Sequence, residues 1–269
     1  MKRKKTYIIT GIICVLILAL ILISAFTVNS HIIKVREETL KSEKIDKNLD
    51  GLIIAYFSDL NYGNNLTEKD IEVVKTNINK FNPDLIIFGG DLISNKCNDT
   101  SALVDFLDEL DASIGKYAVL GEQDVNNENL LDIYKQANFN IINNNETIFY
   151  NYSYINLVGI KPTLDENILN YIDGVNSNYY TIAISHYPDL AKQLKDTDVD
   201  YILSGHSLGG QIYIPLINYL YRPIGAKTYL KGKHQITNAT LDISNGLGTI
   251  DKDVRLFAKP EVVIYKLKG

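Results

Sequence analysis

Hydrophobic positions fall into two regimes along the chain. Residues 7–28 contain no charged side chain, and Ile, Leu, Val and Ala dominate. About 20 apolar residues rising ~1.5 Å each match a bilayer core of ~30 Å, so this stretch is expected to be a transmembrane signal-anchor helix. No polar stripe marks a solvent face, unlike the amphipathic helix of a soluble domain. Beyond a polar connector at 29–49, with a first strand expected at 31–35, short apolar runs alternate with helical spacing. Runs at 52–57, 85–88, 117–120, 154–160, 180–184, 199–203, 239–243, 254–257 and 262–267 predict strands. Helices are expected at 68–81, where Ile71, Val74, Ile78 and Phe81 share a face, and at 102–110, 130–137 and 188–194. Such alternation predicts a layered α/β fold, and neither an internal repeat nor a linker divides it.

Charge adds an orientation. The chain carries a formal −5, but Lys2-Arg3-Lys4-Lys5 holds four positive charges, which leaves −9 on the rest. The positive-inside tendency puts residues 1–6 in the cytoplasm as a basic tail and the domain outside, as a single-pass protein of the cell membrane. The apolar stretch is longer than a cleavable signal requires, and Val28-Asn29-Ser30 makes a poor cleavage site, so a retained anchor is expected. An acidic body excludes nucleic acid as a natural partner, since phosphate binding draws on Lys and Arg. Cys14 lies in the apolar stretch and Cys97 in the body, which rules out a disulfide framework.

Candidate chemistry gathers where strands end. Ser58-Asp59-Leu60-Asn61, Gly89-Gly90-Asp91, Gly121-Glu122-Gln123-Asp124, Ser185-His186-Tyr187-Pro188 and Ser204-Gly205-His206 each follow an apolar run. In open α/β sheets, ligands bind beyond the carboxyl ends of the strands. Asp59, Asp91, Glu122, His186 and His206 can therefore meet in one cluster, and imidazole with carboxylate suits Zn, Mn or Fe. The chain has four histidines, and two of them hold equivalent strand-end positions.

These blocks resemble the calcineurin-like metallophosphoesterases, whose motifs run Asp-x-His, Gly-Asp, Gly-Asn-His-Asp, a His followed two residues on by Pro, and Gly-His-x-His. Here they stand as Asp59-Leu60-Asn61, Gly90-Asp91, Gly121-Glu122-Gln123-Asp124, His186-Tyr187-Pro188 and Gly205-His206-Ser207-Leu208. Asn82-Pro83-Asp84, Gly209-Gly210-Gln211, Gly246-Leu247-Gly248-Thr249, Arg255-Leu256 and Pro260-Glu261 match the family's flanking words. The resemblance is closest to the bacterial membrane-anchored branch. It implies a four-layer α/β/β/α sandwich over 50–269 and two metal ions that clamp a phosphate and activate a bridging hydroxide. It also implies Asp91 as the bridging carboxylate, with Asp59, Asn61 and Leu208 at positions of the first ion. Glu122, His186 and His206 stand at positions of the second ion, and Gln123 where a catalytic His is usual.

Four of these positions depart from the pattern. Asn61, Gln123 and Leu208 replace histidines, and Glu122 replaces an Asn. Leu offers no lone pair and Asn is a weak ligand, whereas Asp91, Glu122, His186 and His206 keep the second ion's set nearly whole. Gln cannot supply a proton at neutral pH, and positioned proton transfer is worth ~10²–10⁴-fold. The expectation is one divalent metal (Zn, Mn or Fe) with weak or no hydrolysis of phosphate esters, on a phosphorylated small molecule or a lipid headgroup. The alternative is an active metal-dependent phosphodiesterase or pyrophosphatase with two ions, acting on a lipid-linked or nucleotide phosphate.

A remote reading takes Gly205-His206-Ser207-Leu208-Gly209 as the nucleophile elbow of a serine esterase. The required order is Ser, acid, His, yet no Asp or Glu lies between Ser207 and His234. His31 is expected to be interfacial or solvated, and His234 to lie in a solvated loop. Tyr213, Tyr219, Tyr221 and Tyr229 mark either a surface loop or a cap over the metal site that faces lipid headgroups.

Overall fold

The structure, a computed structural model, describes residues 2–27, 29–125, 127–164, 166–214, 218–219 and 221–269. Helix α1 (Lys2–Thr27) has 26 residues and is about 39 Å long at 1.5 Å per residue. It is long and apolar enough to cross a membrane, and its described large apolar side chains, such as Ile8, Leu16, Leu20 and Phe26, are exposed. The expected anchor ends at Val28, which lies outside the described residues. At the other end of the junction Ala25 is buried against Val254 and Leu256, and the Arg255 amide donates to the Ala25 carbonyl at 3.1 Å.

The body is two six-stranded sheets packed face to face. In the first the order is β1 (Lys34–Lys41), β14 (Glu261–Lys268), β2 (Ile53–Phe57), β3 (Leu85–Phe88), β4 (Gly115–Ala118) and β5 (Phe139–Ile141). In the second it is β12 (Gly232–Ile236), β13 (Ala239–Ile243), β9 (Tyr201–Ser204), β8 (Tyr180–Ser185), β7 (Ser153–Ile160) and β6 (Asn145–Tyr150). Strands β10 (Tyr213–Ile214) and β11 (Asn218–Tyr219) form a separate pair. β1 starts later than the expected 31–35 and pairs in parallel with β14 along its whole length.

Period-two alternation builds the layers. In β2 and β3, Ile54, Tyr56, Leu85 and Ile87 face the second sheet, where they meet Ile182, Ile184 and Leu203. Ala55, Phe57, Ile86 and Phe88 face outward onto helices α2 (Glu68–Asn79), α3 (Ser101–Asp108) and α4 (Glu128–Gln136). The outer face of the second sheet, with Val158, Ala183, Ile202 and Leu241, is covered by turns at Ile168–Tyr171 and Pro188–Leu194. The expected four layers are present, with the outermost made of 3₁₀ rather than α-helix. The Pro188–Leu194 segment starts at its proline and runs seven residues, longer than the three or four usual for a 3₁₀ turn.

Residues 254–257, expected as a strand, form none: Leu256 alone bridges to Ile212. Arg255 between its neighbours is fully buried and donates to five carbonyls, and Phe257 has a φ of 54°. Neither suits an extended ladder.

Candidate metal centre

β2, β3 and β4 run parallel, as do β7, β8, β9 and β13, so their carboxyl ends lie on one edge of the two sheets. The five polar blocks start there. The turns are tight enough to force five non-glycine residues into the left-handed region: Asp59 (φ 54°), Asn61 (46°), Asp91 (60°), His206 (66°) and Leu208 (52°). Each such residue costs about 1–2 kcal/mol unless its surroundings hold it. The Asp59 amide donates to Gly90 O at 2.9 Å and that of Asn61 to Asp91 O at 3.0 Å, extending the β2–β3 ladder into the turns. Buried Asp124 accepts from the amides of Asp91, Leu92 and Gly121 at 2.7, 3.0 and 2.9 Å, which clamps two turns together. Burial, with the charge of Asp91, pushes its carboxyl up to about 7 against the amide hydrogen bonds from Gly121 and Leu92. Gly121 is required here, because a Cβ would collide with the Asp91 carboxylate.

One ligand atom from each of Asp91, Glu122, His186 and His206 lies within 4.8 Å of the other three. The His186 Nε2 stands 2.9 Å from Glu122 Oε2 and 3.5 Å from Asp91 Oδ2, and the His206 Nδ1 is 3.1 Å from the same Glu122 oxygen. The outer nitrogens are spoken for: His186 Nδ1–H donates to Gly89 O at 2.6 Å and His206 Nε2–H to Ile224 O at 2.7 Å. Each ring thereby turns its other nitrogen inward, the arrangement that orients a metal-binding imidazole. His186 Nε2 and Glu122 Oε2 are buried and make no hydrogen bond despite their separation. A lone pair facing a carboxylate oxygen needs a cation or a proton between them, and a divalent ion among these four donors fits. The carboxylate charge gathered here favours a cation of either kind. Burial pulls the His186 imidazole down, but Asp91, Glu122 and Asp59 outweigh it and hold its pKa well above the usual range. Burial raises the Glu122 carboxyl, and the two imidazoles more than reverse that.

Asp59 lies at the same edge with its carboxylate turned onto the backbone. It accepts from Ser58 Oγ at 2.6 Å and from the His206 amide at 2.9 and 3.0 Å. Burial and the Asp91 charge raise its pKa against the pull of His186 and His206. Gln123 bridges the remaining positions: its Nε2 donates to Asn61 Oδ1 at 2.9 Å and Asp91 Oδ2 at 3.1 Å, and its amide to Asp91 Oδ1 at 3.1 Å. Leu208 is fully buried.

Two supports escaped the sequence reading. Asp124 closes the third block, a position that could have signalled its role. Arg255 was visible only as a flanking match, yet it holds the carbonyls of Leu208, Asn245, Gly246, Gly248 and Ala258 behind the site.

Ser207 is buried, and its Oγ accepts from the Gly209 amide at 3.2 Å, so it caps a turn. His234 is in β12 rather than a loop, with its ring against Tyr229 and its Nε2 on Lys231 O. His31 is not free in solvent: it bridges Asp70 at 2.9 Å and Asp253 at 3.0 Å. Described residues of the tyrosine segment reach the centre. The Ile224 carbonyl holds His206, a Cβ on Gly210 would strike Tyr219, and Tyr187, outside the segment, sets its ring tilted with the centroid 4.5 Å from that of His206. Burial, then Glu122, Asp59 and Asp91, push the Tyr221 phenol up to about 12.

The calcineurin-like phosphoesterase family model matches residues 52–210. YkuE of Bacillus subtilis, named an uncharacterized metallophosphoesterase, is 32% identical over 89% of this chain and 87% of its own. The phosphodiesterase YaeI of Escherichia coli is 26% identical over 69% of this chain and 70% of its own. A zebrafish (Danio rerio) transmembrane protein with a metallophosphoesterase domain is 22% identical over 87% of this chain and 57% of its own.

Proposed function

Because this chain belongs to the calcineurin-like phosphoesterase family, we propose that it is a membrane-anchored member whose centre takes one divalent transition metal (Zn, Mn or Fe) and hydrolyses phosphate esters weakly or not at all. Asp91, Glu122, His186 and His206 would hold the ion, which when bound supplies Lewis-acid charge to a phosphate oxygen. The chain's own residues do the rest. Gly89 O and Ile224 O fix the two imidazoles in the tautomers that face inward. Tyr187, Tyr221 and Ile224 would limit water and orient a phosphorylated small molecule or lipid headgroup.

The observation that carries this reading is the Gln123 carboxamide between Asn61 Oδ1 and Asp91 Oδ2. A neutral amide donates there to the oxygens a second cation would need, and Leu208 brings no lone pair. Gln123 also leaves the leaving group without an acid, a loss of ~10²–10⁴-fold. Anchoring rests on α1, and the basic residues at its start support, by the positive-inside tendency, a domain outside the cytoplasm.

Metal content and bis-aryl phosphate turnover, measured on the detergent-solubilised full chain, test the proposal. A single equivalent with turnover near background is expected, and the double variant Asn61→His/Leu208→His should gain metal. Two tightly held equivalents with clear turnover in the unaltered chain would sink it.

A further inference from the structure

A second site lies away from the metal centre. Lys34, Arg36, Lys231, Lys233 and Lys259 line a cleft of about 510 Å³ together with Glu38 and Glu261. In a chain of net charge −5, five cations against two carboxylates is a local reversal of sign. Arg36 is committed to Asp242, Glu38 and Glu261, and Lys233 to Glu38. Lys231 is committed to the Phe257 carbonyl. Lys34 and Lys259 are exposed, and their ammonium groups have no carboxylate partner among the described residues. Two unpaired cations beside Lys231 are the recognition chemistry of a phosphate.

The cleft does not end in water. Phe257 and Lys259 also line a groove of about 410 Å³ whose other wall is helix α1, through Ile17, Leu20, Ile21 and Ser24. One side of the junction is basic and the other apolar. Phe257 stands at the join, more than half exposed, on backbone with a φ of 54°. Ser24 and Ile17 precede the helix end Thr27 by three and ten residues, or about 4–15 Å along the axis. With α1 across the membrane, the groove lies in the outer leaflet and the cleft at its headgroups.

We propose that cleft and groove form one binding site for an anionic phospholipid, its phosphate among Lys34, Lys231 and Lys259 and an acyl chain along α1 past Phe257. The site would set the height and tilt of the domain on the membrane. The proposal rests on the anchoring read above, and not on the metal.

Hydrogen–deuterium exchange on the full chain in lipid nanodiscs tests it. Exchange across 231–236 and 254–261 should slow several-fold when phosphatidylglycerol is added to phosphatidylcholine discs. The slowing should vanish in the double variant Lys34→Gln/Lys259→Gln, whose unfolding midpoint should match the parent because both side chains are exposed. Glycerol phosphate added to phosphatidylcholine discs should have no effect. Equal exchange with and without phosphatidylglycerol would overturn the site, and slowing by glycerol phosphate alone would overturn the lipid assignment. Release of the protein from membranes by alkaline carbonate would instead overturn the anchor, which separates that failure from failure of the cleft.

Discussion

Glu122 faces both inward nitrogens of the candidate centre with one oxygen, 2.9 Å from His186 and 3.1 Å from His206. Its charge is what distinguishes this set from one with an amide at the same place. Glu122→Gln should therefore weaken Zn binding by at least about tenfold in isothermal titration, with little change in fold. Asp124 acts differently, through the backbone. Asp124→Ala leaves three buried amides without an acceptor, at Asp91, Leu92 and Gly121, and should cost at least about 2 kcal/mol in urea unfolding. A loss of metal affinity should accompany it, since the left-handed turn at Asp91 depends on those bonds.

Among the elements, α2 shows one carboxylate serving two tasks. Thr67 and Asp70 form a capping box at its start, and the same Asp70 oxygen that closes the box meets His31 from the segment after α1. His31 also reaches Asp253, so the imidazole fastens the anchor junction to both α2 and the loop behind the site. Burial lowers its pKa, and the bonds and charges of Asp70 and Asp253 raise it further than burial lowers it. A raised folded pKa means that this contribution is complete below the unfolded value of 6.5 and is lost as pH rises through the higher folded one. The urea midpoint should fall over that window, and His31→Gln should flatten the fall. A profile unchanged by His31→Gln would show that the bridge does not act in solution.

For the whole molecule, the long-range tie that matters is Arg36 on β1 with Asp242 on β13. The two residues belong to different sheets, and the guanidinium makes two bonds of 2.9 and 3.0 Å to a fully buried carboxylate. Tyr201 and Tyr265 donate to the same Asp242 oxygen from β9 and β14. Removing one partner strands a buried charge, so Arg36→Met should destabilise the domain by about 3–5 kcal/mol in chemical unfolding. The segment just after the anchor is thus part of the sandwich, which couples the position of α1 to the body.

Much was decided by local pattern. The uninterrupted apolar run defined α1, the all-apolar words at 52–57 and 85–88 defined central strands, and the spacing of Ile71, Val74 and Ile78 defined α2. Polar words behind strand runs marked the edge where Asp91, Glu122, His186 and His206 converge, because parallel strands bring their carboxyl ends to one place. Short edge elements such as β5, β6 and β12 escaped notice, since strands of three to six residues with several polar side chains carry no periodic signal strong enough to read. Tertiary structure alone decided the direction of each side chain. Asp59 turns onto the His206 amide, Gln123 spans Asn61 and Asp91, and Arg255 folds inward from an apparent strand. Hydrogen-bond geometry between residues 30 to 150 positions apart selects those rotamers, and nothing in the neighbouring sequence encodes it.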